Sequence, residues 1–160
     1  MRIIGIDPGI EKMGFAILEK QKNIIRLLDC GCIYTPSSEH LSRRLNMLSQ
    51  DLKSILKEWR PSVAGVEQLF FSKNVKTALT VCHARGVILE ALEDHGVEMM
   101  EFNPGTIKQA VTGDMRADKK QMQKMVDYHL GVNLKNDDTV DAIACGICLL
   151  SSYNRTHVSL

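Results

Sequence analysis

The sequence predicts an α/β fold, a five-stranded mixed sheet flanked by helices. Three observations carry this. Three apolar stretches joined by short connections fill the first 35 residues, the pattern of an antiparallel meander. The hydrophobic period then changes to that of a helix over residues 38–60. Two more short apolar strands follow, each leading into helical segments, the alternation that places helices over a sheet. At 160 residues one domain is expected, large enough to bury a core without staples. It is placed at residues 1–152, with 153–160 as a C-terminal tail.

"RIIGID" reads as a buried strand, "PG" turns the chain, and "GFAILEK" and "IIRLLDCGCIYT" read as the second and third strands. Leu41, Leu45, Leu48, Leu52 and Ile55 then mark one apolar helical face, which Arg60-Pro61 stops. "SVAGVE" is short and apolar on both faces, as a central parallel strand is. A helical connection from the first strand to this fourth one makes the right-handed crossover. Residues 74–94 read as a helix in which the small residues Ala78, Cys82 and Gly86 recur every four positions. They allow close approach of either a partner or the chain's own sheet. "GVEMMEF" is the fifth strand. Helices follow near 106–112, 118–130 and 137–152.

Hydrophobic residues are 44% and charged residues 24% of the chain, an ordinary soluble composition. No apolar run approaches the roughly 18 residues of a membrane span, and no charged leader with an apolar segment precedes the first strand. A cytoplasmic protein with no membrane partner is expected. Five cysteines, an odd number, stand at 30, 32, 82, 145 and 148 inside apolar runs, which argues for a reducing compartment without a disulfide framework. Cys30-x-Cys32 and Cys145-x-x-Cys148 have the spacing of zinc half-sites. The apolar setting of "AIACGICLL" favours small buried residues instead.

The net charge of +1 says little, but its distribution says more. Five acids and no Lys or Arg lie between Glu90 and Glu101, whereas Lys108, Arg116, Lys119, Lys120 and Lys124 face only Asp114 and Asp118. Lys73, Lys76 and Arg85 form a second basic group. Each reads either as a solvated helix face or as part of a local polyanion site.

The carboxylates decide the chemistry. Asp7 closes the first strand and Glu67 the fourth. If those strands are parallel neighbours, both emerge at the carboxyl edge of the sheet, where open α/β sheets carry their sites. Asp138 and Asp141 are three apart in the first turn of the last helix and share one face; Asp137 or Asp138 can cap that helix. Singly, each has a plain structural role: Asp7 in a turn before Pro8, Glu67 beside a lysine, and the two aspartates as ordinary helix-N-terminal acids. Four converging carboxylates repel one another and call for cations. All-oxygen ligands suit Mg²⁺ or Mn²⁺. Two such ions about 3.5–4 Å apart activate water and stabilise the leaving oxygen of a phosphodiester.

The stretches "IIGIDPGIEKMGFAIL", "VEQLFFSKNVKTALTVCHARGVI", "IKQAVTGDMRADKKQMQKMV" and "DDTVDAIACGIC", in this order, resemble the RuvC family of Holliday junction resolvases, dimeric endonucleases with a ribonuclease H-like fold. The resemblance spans nearly the whole chain. It implies that Asp7, Glu67, Asp138 and Asp141 are the catalytic, metal-holding acids, with two Mg²⁺ per site and Mn²⁺ able to substitute. It places Lys108 and Lys119 near the scissile phosphate and DNA backbone, Lys119 balancing charge in the transition state, and Phe70 at the junction crossover. Lys73, Lys76 and Arg116 are further DNA-binding candidates. The implied partners are four-way junction DNA, a second copy of the chain, and a RuvAB-type branch-migration complex. The implied reaction is paired symmetric nicking during recombination and repair. Met115 stands where the family usually has a small residue, and Asp114 adds an acid to that DNA-facing loop. The alternatives are another ribonuclease H-like nuclease, an actin-like or sugar-kinase ATPase lobe, suggested by the first hairpin, and a junction-binding module without catalysis.

Overall fold

A computed structural model describes residues 1–22, 24–68, 75–134 and 139–156. Its strands are β1 (Arg2–Asp7), β2 (Lys12–Gln21), β3 (Ile24–Tyr34), β4 (Val63–Glu67) and β5 (Glu98–Phe102). Its helices are α1 (Leu41–Trp59), α2 (Val75–Asp94), α3 (Pro104–Thr112), α4 (Lys119–Leu130) and α5 (Val140–Thr156). One five-stranded sheet runs in the order β3-β2-β1-β4-β5. The first three strands form the expected antiparallel meander, and β1, β4 and β5 are parallel. All ten expected elements are present. β2 starts two residues earlier than "GFAILEK" suggests, and α5 ends at Thr156 rather than 152.

Strand alternation sorts the core into two layers. Ile4, Ile6, Ile17 and Val66 pack with Leu48, Leu52 and Leu56 of α1 and Ile88 and Leu92 of α2. Ile3, Ala16, Leu18 and Val63 face the other way, onto Ile107, Met122, Ile143 and Ile147 of α3, α4 and α5. The apolar stripe of α1 is therefore its sheet-facing side, and the chain leaves that helix at Arg60 in a left-handed conformation (φ 47°) before Pro61.

The approach of α5 to the sheet is set by missing side chains. A Cβ on Gly5 of β1 would run into the Ala142 carbonyl oxygen and come within 2.7 Å of the Gly146 amide nitrogen. One on Gly146 would meet Leu18, 2.6 Å away. Helix and strand thus touch backbone to backbone at the first turns of α5.

Some members of the charge groups form local pairs. Lys53 of α1 bridges Glu90 (2.9 Å) and Asp94 (3.0 Å) of α2, so part of the acidic run fastens two helices. Arg85 of α2 pairs with Glu101 of β5. Cys145 and Cys148 are fully buried, as expected, but Cys82 is exposed.

Candidate nuclease site

Asp7 and Glu67 end neighbouring parallel strands paired in register, Ile3 with Val63 through Ile6 with Val66. Both therefore emerge at one edge of the sheet. Side chains alternate along a strand, and Gly5 and Gly65 lie under α5, so Asp7 and Glu67 project to that same side. Asp141 stands in the first turn of α5, one residue before Ala142, whose carbonyl touches Gly5. The glycine contact thereby delivers Asp141 to the end of β1.

The electrostatics show this convergence. Burial, then the Asp141 charge, pushes the Asp7 carboxyl up to about 6, against the pull of Lys12 and Lys119. Glu67 rises to about 7, through burial and then repulsion by Asp7 and Asp141, with Lys108 opposing. Beneath them, burial pushes the Cys145 thiol well up, and Cys148, Glu67 and Asp7 add to it.

Two cations face the acids. Asn103 caps α3 by accepting from the Thr106 amide at 2.8 Å, and α3 carries Lys108. Asp118 and Gln121 form a capping box at the start of α4, which puts Lys119 at its first helical position. There the helix dipole and the ammonium are both positive. A cavity of about 110 Å³ lies between Glu67, Lys108, Lys119 and Asp141, walled by Ile107 and Met122. A larger one, about 420 Å³, shares Lys119 and Asp141 and continues along Lys120, Gln123, Lys124 and Asp127.

The first turn of the site is clamped from beneath. Buried Thr35 donates its hydroxyl to the Ile10 carbonyl and receives a bond from Arg44 Nε at 2.9 Å. The Thr35 amide donates to the Glu11 carbonyl. These bonds fix the "PGIEK" turn after Asp7. The acid of the loop before α4 is also accounted for: Asp114 Oδ1 accepts from the Arg116 amide at 2.8 Å, making it a turn residue, and exposed Met115 reaches over Gly105.

Of the expected site residues, Asp7, Glu67, Asp141, Lys108 and Lys119 are brought together. Arg116 is exposed on the loop before α4. Phe70, Lys73, Asp137 and Asp138 lie outside the described residues, as does the side chain of Lys76. Among the described residues, no three His, Cys, Asp or Glu side chains close around a single point. Lys12, one of the two cations acting on Asp7, was not among the expected site residues. The signal was parity: Lys12 is two residues before Gly14, where the second strand was read to begin.

Fold and site together define a ribonuclease H-like nuclease. The family model "Crossover junction endodeoxyribonuclease RuvC" matches residues 3–149. A crossover junction endodeoxyribonuclease RuvC from Chloroflexus aggregans is 45% identical over 150 residues, 92% of each chain. One from Alkaliphilus oremlandii is 41% identical over 160 residues, 99% of this chain and 98% of that one. The structure of T. thermophilus RuvC in complex with a Holliday junction substrate superposes with a TM-score of 0.90 at 29% identity, covering 98% of this chain and 96% of that one. The chain belongs to the RuvC family of crossover junction endodeoxyribonucleases. It is a structure-selective endonuclease that resolves Holliday junctions, which sets aside the ATPase and non-catalytic readings.

Proposed function

We propose that Asp7, Glu67, Asp138 and Asp141 hold two divalent cations, Mg²⁺ by preference and Mn²⁺ in its place, for hydrolysis of the scissile phosphodiester. The observation that supports this is the convergence of buried acids, which raises the pKa of Asp7 to about 6 and that of Glu67 to about 7. Buried carboxylates that repel one another form a set of hard oxygen donors that cations neutralise. Bound there, such ions polarise the phosphate and lower the pKa of attacking water. The residues themselves do the rest. Asp7 and Glu67 release their protons to become ligands. Lys119, at the positive end of α4, faces the phosphate oxygens and balances the charge that grows on them. Lys108 does so from α3, and Arg116, Lys73 and Lys76 contact the DNA backbone. Phe70 stacks on a base at the crossover, where base pairing is interrupted.

The proposed active species is a homodimer that makes symmetric paired nicks. What supports it is the outer face of α2. Leu79 is 58% exposed, Cys82 is exposed, and a Cβ on Gly86 meets nothing within 4 Å among the described residues. The stripe therefore does not pack on the chain's own sheet. A cytoplasmic location and collaboration with a RuvAB-type branch-migration complex accompany this reading. Among the described residues no helix is long and apolar enough to cross a membrane.

The decisive test is Asp7→Asn with a labelled four-way junction and a matched linear duplex, with and without Mg²⁺. Nicking of the junction should vanish, while binding persists or tightens because phosphate repulsion falls. Robust nicking by the variant, or equal wild-type activity in EDTA, overturns the metal reading.

A further inference from the structure

β2 begins at Lys12, and its register decides which side chains share the face that carries Asp7. Asp7 pairs with Gly14, and Lys12 pairs with Tyr34 of β3. Opposed residues in an antiparallel pair project to one side, and the side repeats every two residues. Ala16 and Leu18, on that parity, lie in the core under α5. Lys12 and Tyr34 continue the same face beyond the core, past the end of β1. There Lys12 is half-buried and Tyr34 is 57% exposed. One strand spacing and a two-residue rise put the Lys12 and Asp7 Cα atoms roughly 8 Å apart, within reach of the four-carbon stem.

The strand order gives this position a meaning. Lys12 lies on the β2 side of the carboxylates. Lys108 lies on the other side, on α3, which follows β5. Each cation acts on the acid nearest to it, Lys12 on Asp7 and Lys108 on Glu67. A DNA backbone crossing the strand ends would meet a cation, the acids, and a cation in turn. Once divalent ions sit on Asp7, they repel the Lys12 ammonium, and a neighbouring phosphate becomes its better counter-charge.

We infer that the cross-strand pair Lys12 and Tyr34 is a further DNA-contacting element of the site: the Lys12 ammonium takes the phosphate next to the scissile one, and the Tyr34 ring bears on the adjoining nucleotide. This rests on Asp7 and Glu67 marking the place of the scissile phosphate. Lys119 and Lys120 then form the wall toward α4, and Lys12 and Tyr34 the wall toward the sheet edge.

The test uses the full chain with a four-way junction. Lys12→Gln and Lys12→Met are compared with wild type for binding across salt concentrations and for single-turnover cleavage at saturating protein. Loss of one phosphate contact lowers the slope of log affinity against log salt by about 0.7–0.9 per engaged site. Single-turnover cleavage should fall at least tenfold with the melting temperature unchanged, and Lys12→Arg should recover most of both. Tyr34→Ala should slow cleavage without altering the salt slope, because it removes a ring and no charge. If both Lys12 variants keep the wild-type slope and cleave within twofold of wild type, the inference fails. It fails equally if they lose cleavage only in proportion to a lowered melting temperature. Asp7→Asn in the same assay separates the two readings: cleavage by that variant would sink the site assignment itself, whereas an inactive Asp7→Asn beside a wild-type-like Lys12→Gln would sink only the role of Lys12.

Discussion

Asp7 and Glu67 ordinarily titrate at 3.8 and 4.5, and in the fold they do so at about 6 and about 7. Both values are raised, so the folded state holds these protons more tightly than the unfolded chain does. The resulting stabilisation is complete below about pH 4 and is lost as pH rises through 6 and 7. In EDTA the melting temperature should therefore decline between pH 5 and pH 8, by several degrees if these groups dominate; about 1 kcal/mol corresponds to 2–4 °C in a chain of this size. Mg²⁺ should reverse the decline, raising the melting temperature more at pH 8 than at pH 5.5, where it must displace protons. Thermal scans of wild type and Asp7→Asn check this: the variant should show a flatter pH dependence in EDTA and a smaller response to Mg²⁺. A flat wild-type profile would contradict the assignment. At this scale the places of Asp7, Glu67 and Asp141 were legible because strand ends and helix starts are properties of local sequence. Lys12 was hidden in what looked like a loop, and Lys108 and Lys119 stood out as part of a basic segment, with family resemblance giving them their place near the phosphate. The partner of Arg85 was not legible, since a count along the chain is blind to Glu101 on a neighbouring strand.

Between elements, the contact that matters most is that of α5 on β1. Gly5 faces backbone atoms of Ala142 and Gly146, which cannot rotate aside, whereas a methyl on Gly146 would meet the mobile end of Leu18. Gly5→Ala should therefore lift the first turns of α5, cost roughly 1–3 kcal/mol as overpacking does, and move Asp141 away from Asp7. Its single-turnover cleavage should drop more than tenfold per folded molecule. Leu52→Ala provides the contrast. It removes core from the opposite layer and costs roughly 2–5 kcal/mol, so it should melt lower while cleaving at nearly the wild-type rate below its transition. Equal loss of activity in both would show that stability, not the position of α5, governs the site. The sequence announces strand and helix here through apolar period. The need for glycine at the crossing is invisible in one dimension, because the atoms that exclude a side chain come from residues more than 130 positions away.

Across the whole molecule, the sheet divides the labour. The layer of α1 and α2 presents the small-residue face to solvent, and the layer of α3, α4 and α5 builds the edge with the acids. Gly86→Leu should shift sedimentation at micromolar concentration toward the monomer and make the two nicks independent, while leaving the fold intact, since a Cβ there meets nothing within 4 Å among the described residues. A wild-type protein that sediments as a monomer at that concentration rules the dimer out. The layered plan was readable from the change of hydrophobic period. Which face of α2 stays open was not, because Ala, Cys and Gly suit a helix–sheet contact as well as a helix–helix one. The glycine seam under α5 has one more consequence. Where a helix rests on side chains, warming lets rotamers exchange and the joint slackens by degrees. Where backbone rests on backbone there is no padding to soften, so the spacing of Asp7 and Asp141 should hold steady with heat and then fail all at once. Cleavage should accordingly climb with temperature almost to the melting point, with no gradual decline before it.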